Sequence, residues 1–323
     1  MFYSVFMADM MPKQVITLYH FDRITEDRAE NFSRYFIPPI IWLTIFASIV
    51  QSAMDATAKF AMLTASASAL IFYSGIIVTG VSFVFGFTKS GIGFLNTNFK
   101  WLMAIRSLFG CLGSAFFILG FKGLPLADAF VIASLLPVAS AILGFVLFDE
   151  RVSILAWSAM FIGSIGVAIM FLDVVPEIRI GNVYLIFGVL SASTSLVIAR
   201  YIGKFESNPM ALIFWPSLLI IFGAAVYIWD QNLSFATQSF EFIYLYACLF
   251  LFGRWLSIYL INFISVHLVT AIFNLQFFWF VIIGYVVFSN VPSAVVWIGA
   301  IVLIGATTAV ALCEYRDSKT DAD

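Results

Sequence analysis

Runs of about 20 apolar residues, set apart by short polar breaks, fill this chain from residue 38 to residue 313. A helix needs about 20 such residues to cross roughly 30 Å of hydrocarbon, so each run reads as a spanning helix. Ten are predicted, at 38–59, 67–88, 100–121, 125–148, 153–172, 180–202, 209–229, 241–264, 268–288 and 293–313. Breaks such as KGLP (122–125), DERV (149–152) and SNVP (289–292) leave no room for a soluble domain. Strands of a membrane barrel would show segments of about 10 residues with alternating polarity. These runs are longer and apolar all round, which predicts an all-α integral membrane protein.

The pattern also repeats. Residues 142–157 read ILGFVLFDERVSILAW, and 282–297 read IIGYVVFSNVPSAVVW. At this offset of 140 residues, Ile142, Gly144, Val146, Phe148, Ser153 and Trp157 meet Ile282, Gly284, Val286, Phe288, Ser293 and Trp297. A second match pairs Lys59, closing the first span, with Arg200, closing the sixth, 141 residues on. Both cations also suit a helix end, through the helix dipole and by snorkelling. Ten spans in two units make five plus five, and an odd unit must cross the membrane in opposite senses. The expected organisation is a cytoplasmic tail (1–37), a first five-helix repeat (38–172), a second inverted repeat (173–313) and a short cytoplasmic tail (314–323). Inverted repeats can exchange conformations, which turns an inward-open cavity into an outward-open one around a midplane site.

Composition agrees with the membrane reading: 63% of residues are hydrophobic and 11% charged, far from a soluble balance. The net charge of −2 suggests no nucleic-acid partner. Cys111, Cys248 and Cys313 all fall within spans, so neither a disulfide framework nor a metal site is expected. The first 37 residues mix Lys13, Asp22, Arg23, Glu26, Asp27, Arg28, Glu30 and Arg34, which fits a short amphipathic helix and not a signal peptide. With the N-terminus inside, eleven Lys and Arg face the cytoplasm (13, 23, 28, 34, 89, 100, 151, 200, 204, 316 and 319) and three face out (59, 122 and 179). That asymmetry puts both termini in the cytoplasm, with the inner (plasma) membrane of a bacterium as the simplest home.

Motifs narrow the class further. RSLFG (106–110), LPLADA (124–129), FDERV (148–152) and FIGSIGVAIM (161–170) resemble the first EamA-type repeat of the drug/metabolite transporter superfamily. AMDATAK (53–59) is similar to the first-span motif of one branch, and 273–292 to the second-half pattern F-x-x-x-Q-x-x-W…G…F-x-E-x-P. The resemblance covers about 38–313, with one departure: Asn290 stands where the family has an acid, which Glu150 keeps in the first half. It implies ten helices, termini inside, and transport of a small organic metabolite by alternating access. Some members with a similar first span carry S-adenosylmethionine.

Ionisable groups at membrane depth are costly and each invites a reason. Asp55 lies about one turn inside the outer end of its span, with Lys59 four residues on. It can pair with Lys59, or face the cavity and bind a cationic group or a proton. Arg106 lies two turns inside the cytoplasmic end of span 3, where snorkelling and a substrate role both stand. Arg254, in LFGRWLSIY, is too deep for easy snorkelling, and the nearest acid in its span is Glu241. Its expected role is in the cavity, with Asp55 or a bound anion as partner. Gln51, Ser191, Ser193, Asn274 and Gln276 are uncharged polar groups near midplane, suited to helix contacts or to binding. Tyr259 and Trp279 are aromatic cavity candidates because their OH and NH groups need partners. Pro137 and Pro216 interrupt spans 4 and 7. Asp128 suits a helix N-terminus. The small residues of FIGSIG (161–166) and WIGAIVLIGA (297–306) favour close packing, within the protomer or at a homodimer face.

A membrane-embedded enzyme or a channel-like facilitator are the rival classes. The only histidines are His20 and His267, and no GxxxxGK, HExxH or CxxC occurs. The expectation is therefore no enzyme and no cofactor. Partners are the bilayer and a small anionic or zwitterionic metabolite, an amino acid or derivative, since Arg106 and Arg254 outweigh Asp55. The repeat also shows where symmetry fails: Arg254 matches Ser114, and Pro137 matches Phe277.

Overall fold

Hydrocarbon offers the backbone no hydrogen-bond partner, so an apolar chain there must satisfy its own N–H and C=O groups. In the computed structural model the described residues are 22–61, 66–123, 126–150, 152–170, 179–206, 208–230, 240–288 and 292–320. Among them every long element is a helix and no strand occurs. The helices are α1 (Asp22–Ala61), α2 (Ala67–Ser90), α3 (Lys100–Gly123), α4 (Leu126–Ala133), α5 (Leu136–Phe148), α6 (Ile154–Met170), α7 (Ile180–Phe205), α8 (Pro209–Asp230), α9 (Phe240–Ile261), α10 (Val266–Phe273), α11 (Leu275–Phe288) and α12 (Ala294–Thr320), with a 3₁₀ turn at Gly91–Leu95. Eight segments among the described residues are long and apolar enough to cross a membrane, and α6 is a shorter apolar helix of 17 residues. The chain is an all-α, multi-pass membrane protein.

Helix ends follow local chemistry. Ser66 and Ser265 cap α2 and α10, their Oγ atoms accepting from Ala69 N at 3.1 Å and Leu268 N at 3.4 Å. Helical backbone crosses both expected tail boundaries, since α1 starts at Asp22 and α12 reaches Thr320. Residues 1–21 and 321–323 lie outside the described residues, as does the SNV part of the 289–292 break.

The helices pack in a regular scheme. α3 lies along α7, α1 along α9, α2 along α8 and α6 along α12. The broken helix α4–α5 packs on α7, α10–α11 on α1, and α5 touches α10. The α6–α12 contact is tight enough to require glycine. A Cβ on Gly166 would lie 2.8 Å from Leu303 N, and one on Gly299 would lie 2.6 Å from the Gly166 carbonyl oxygen. The two small-residue stripes therefore meet each other inside the chain.

Two of the candidate spans, Phe130–Phe148 and Val266–Ile283, are each broken into two helices. Pro137 has no N–H to give the preceding turn, and α4 stops at Ala133. The second break falls at Asn274, between α10 and α11, without a proline. The breaks meet: Asn274 Nδ2 donates to the Ser134 carbonyl at 2.9 Å, across 140 residues of sequence. Ser164 Oγ donates to the same oxygen at 3.0 Å. Flanking serines complete the set, with Ser52 Oγ donating to the Gln276 carbonyl at 2.6 Å and Ser193 Oγ to the Leu136 carbonyl at 3.4 Å. Asn274→Ala leaves the Ser134 oxygen with one donor. The expected cost is about 1 kcal/mol, read as a melting midpoint lowered by a few degrees in detergent; an unchanged midpoint refutes it.

Candidate functional site

Residues four apart on a helix stack on one face. On α9 this brings Tyr246, Phe250 and Arg254 into a ladder. The Tyr246 and Phe250 rings stack at 5.9 Å, and the Arg254 guanidinium carbon sits 5.6 Å from the Phe250 centroid. Helix α1 passes close by: a Cβ on Gly253 would lie in ordinary contact with Gln51 Oε1, at 3.4 Å. One turn beyond Gln51, Asp55 lies within electrostatic reach of Tyr246. Asp55, Gln51 and Arg254 are all partly buried, and neither Asp55 nor Arg254 makes an ion pair among the described residues. The side chain of Lys59, the other expected partner of Asp55, lies outside the described residues.

Arg106 approaches from α3 and is 2% exposed. Its Nη1 donates to the Leu212 carbonyl at 2.6 Å. That oxygen is available because Pro216, four residues on inside α8, has no N–H to offer it. Ser195 Oγ in turn donates to the Arg106 carbonyl at 3.0 Å. The Arg106 Nε has no hydrogen-bond partner among the described residues, and its guanidinium lies within electrostatic reach of Arg254. Asp55 and Arg254 thus both lie within electrostatic reach of Tyr246, and Arg106 lies within reach of Arg254. Such a row offers cations to a carboxylate or phosphate and an aromatic wall to the rest of a ligand. Of these groups Tyr246 and Phe250 were not singled out in the sequence. Their spacing of eight and four residues before Arg254 is the signal that finds them.

The other expected site residues stand as follows. Asn274 serves the helix breaks. Trp279 Nε1 donates to Ser48 Oγ at 3.0 Å, tying α11 to α1. Gln276 is half-buried, and its carbonyl takes Ser52. Tyr259 is 37% exposed; its ring stacks on Trp255 at 5.7 Å and meets Phe263 tilted, at 4.8 Å. It lies five residues past Arg254, about 140° round the helix. Ser193 binds Leu136, and Ser191 is buried on the same helix. The side chain of Asp128 lies outside the described residues.

A cavity of about 100 Å³ opens between α2, α3 and α8, lined by Ser68, Ile71, Cys111, Ser114, Leu119 and Tyr227 among others and by none of the residues of this row. Its wall carries no charged side chain. No cluster of three or more His, Cys, Asp or Glu that could hold a metal occurs among the described residues.

No family model matches the sequence, and no curated relative does. A solved structure known only as a crystal structure of protein superposes with a TM-score of 0.68, covering 87% of this chain and 98% of its own at 16% identity. Identity that low shows a shared fold alone, so this chain takes from that structure an architecture and no activity.

Proposed function

We propose that this protein is a secondary transporter that moves a small anionic or zwitterionic metabolite by alternating access. The observation that carries it is the matched pair of bonds at the helix breaks. Ser52 binds the Gln276 carbonyl and Ser193 binds the Leu136 carbonyl; Ser52 and Ser193 are 141 residues apart, and Leu136 and Gln276 are 140 apart. These are the offsets at which the sequence repeats. Counting each broken helix as one span, and adding α3 and α6 to the eight long segments, gives ten. Helix packing obeys the same exchange: α3 on α7 corresponds to α9 on α1, and α3 on α8 to α9 on α2. This supports two inverted five-helix units, 38–172 and 173–313, and with them a site at the unit interface near midplane. The EamA-type resemblance and the Lys/Arg asymmetry point the same way, with both termini in the cytoplasm of an inner-membrane protein.

Arg254 and Arg106 would hold the anionic end of the metabolite, Tyr246 and Phe250 its apolar body, and Asp55 a cationic group or a proton. An amino acid or an amino-acid derivative such as S-adenosylmethionine has this chemistry. Thermal-shift screening of amino acids and their derivatives selects the ligand. Radiolabel counterflow in proteoliposomes then tests the reading. Preloading with unlabelled ligand is expected to accelerate uptake several-fold, as only a carrier allows, and a rate indifferent to preloading sinks it. Asp55→Asn removes the one carboxylate of the row, and uptake is expected to fall at least tenfold. A fully active Asp55→Asn protein would refute a role for that carboxylate.

A further inference from the structure

Two polar residues between α7 and α8 fasten the start of α3. Glu206, the residue after α7, is partly buried. Its Oε2 accepts from Thr97 Oγ1 at 2.7 Å and its Oε1 from the Asn98 N–H at 2.6 Å. Thr97 Oγ1 in turn accepts the Phe99 N–H at 3.0 Å. A carboxylate suits the opening of a helix, since it takes N–H groups the helix cannot satisfy and meets the positive end of the dipole. Asn208, two residues on, works in both directions. Its Oδ1 accepts the Ala211 N–H at 3.2 Å and so caps α8, while its Nδ2 donates to the Phe94 carbonyl at 2.6 Å. Trp215 Nε1 reaches the next carbonyl, of Leu95, at 3.4 Å. The Phe94 ring is seated over Gly86 on α2, where any side chain would displace it. The loop ahead of α3 is thus held by α2 on one side and by the ends of α7 and α8 on the other.

These bonds set a height. Leu212 stands one turn above Asn208, its N–H bonded to the Asn208 carbonyl at 3.3 Å. Arg106 stands six residues, about 9 Å, above the start of α3 at Lys100. A helix spends nearly all of its carbonyls on itself. Arg106 therefore has one acceptor to find in α8, the Leu212 oxygen that Pro216 frees, and α3 must stand at the height that finds it. The contacts nearest the start of α3 are apolar, with Phe99 against the Tyr201 ring at 6.0 Å and the Phe205 ring at 5.6 Å. Such contacts are non-directional and let helices slide; hydrogen bonds to a carboxylate do not. We infer that Glu206 is a positioning residue: by holding the first turn of α3 against the start of α8, it sets the register that brings Arg106 onto the Leu212 carbonyl and so aims Arg106 at the metabolite. The last step rests on the transport reading.

Cross-linking reads the register. A Cβ on Gly223 in α8 would lie 3.0 Å from Cys111 Sγ in α3, within reach of a disulfide. The full chain, with Cys248 and Cys313 replaced by serine and with Gly223→Cys, is placed in lipid nanodiscs and oxidised with copper phenanthroline. Free thiols are counted over time by the mass of bound maleimide. Glu206→Gln leaves one acceptor oxygen for two donors and is expected to slow the cross-link about fivefold, the scale of one hydrogen bond. Thr97→Val keeps the carboxylate, is expected to slow the cross-link as well, and serves where the first variant fails to fold. A rate that neither variant lowers overturns the inference. Counterflow then asks whether the register acts through Arg106. With radiolabelled S-adenosylmethionine, or a common amino acid that exchanges in its place, Glu206→Gln is expected to raise the half-saturating concentration about tenfold. In an Arg106→Lys background the same change is expected to raise it by less than about twofold, because the two residues act on one bond. A merely structural Glu206 lowers the amount of folded protein and leaves half-saturation alone, or adds its loss in full to that of Arg106→Lys; either result overturns the inference. Slowed cross-linking in a protein that exchanges none of these labels removes the transport reading and leaves Glu206 holding the register.

Discussion

Replacing Arg254 with alanine is expected to abolish substrate exchange, by about 100-fold or more, while leaving the protein folded. Arg254 lies fourteen residues into α9, about 21 Å along its axis. A charge at such depth costs about 2.5–3.5 kcal/mol even on the lowest insertion scale. Among the described residues it is offset by the Phe250 ring alone, at 5.6 Å, and by no ion pair. Removing a group that destabilises the fold does not unfold the protein, so the thermal midpoint is expected to hold or rise. Transport behaves oppositely. A charge-assisted hydrogen bond to a desolvated ligand is worth about 1.5–3 kcal/mol, and each 1.4 kcal/mol is tenfold in binding. Lysine at 254 keeps the charge but not the planar fork, so Arg254→Lys is expected to recover part of the lost rate. Two measurements on one preparation decide the matter, a melting curve and a counterflow rate. Wild-type exchange by Arg254→Ala would remove this residue from the site.

The largest expected effect on stability comes from one methyl group. Gly299→Ala places a Cβ 2.6 Å from the Gly166 carbonyl oxygen and equally close to Met170 N. Those are backbone atoms, which cannot swing aside, so α6 and α12 must separate or slide. Overpacking of this kind costs about 1–3 kcal/mol, and in a membrane close packing is a main source of helix association. Gly305 stands on the same helix with nothing within 4 Å of the added atom. Gly305→Ala is therefore expected to stay within about 0.5 kcal/mol of the parent. Unfolding of the two variants side by side in mixed micelles checks the pair. Equal losses would mean that the α6–α12 contact is not the determinant.

The spans were legible because an all-apolar run has one solution in lipid. The tails were less so: Pro38 and Pro39 mark a boundary in the sequence that the helix runs through, nothing after Cys313 stops a helix, and hydropathy does not register backbone continuity. Pro137 announced its break, but the break at Asn274 has no proline and shows only as a polar residue at depth. Arg254 stood out as a buried charge. Its neighbours did not: with 37 Phe and 12 Tyr in the chain, Phe250 and Tyr246 are indistinct until Arg254 fixes the register. Gln51 and Asp55 fall beside that ladder, whereas Asn274 and Trp279 turn out to be fastened to other helices. The partner of Arg106 was hidden for another reason. It is a main-chain oxygen 106 residues away, which no inventory of side chains contains.

That bond has a bearing on descent. An ordinary residue at 216 would give the Leu212 oxygen a donor in its own helix, in competition with the Arg106 guanidinium. Losing Arg106 first would strand the oxygen. Either single step is a loss, so positions 106 and 216 are expected to be inherited as one character. Sequences that diverge from this one are expected to change both or neither.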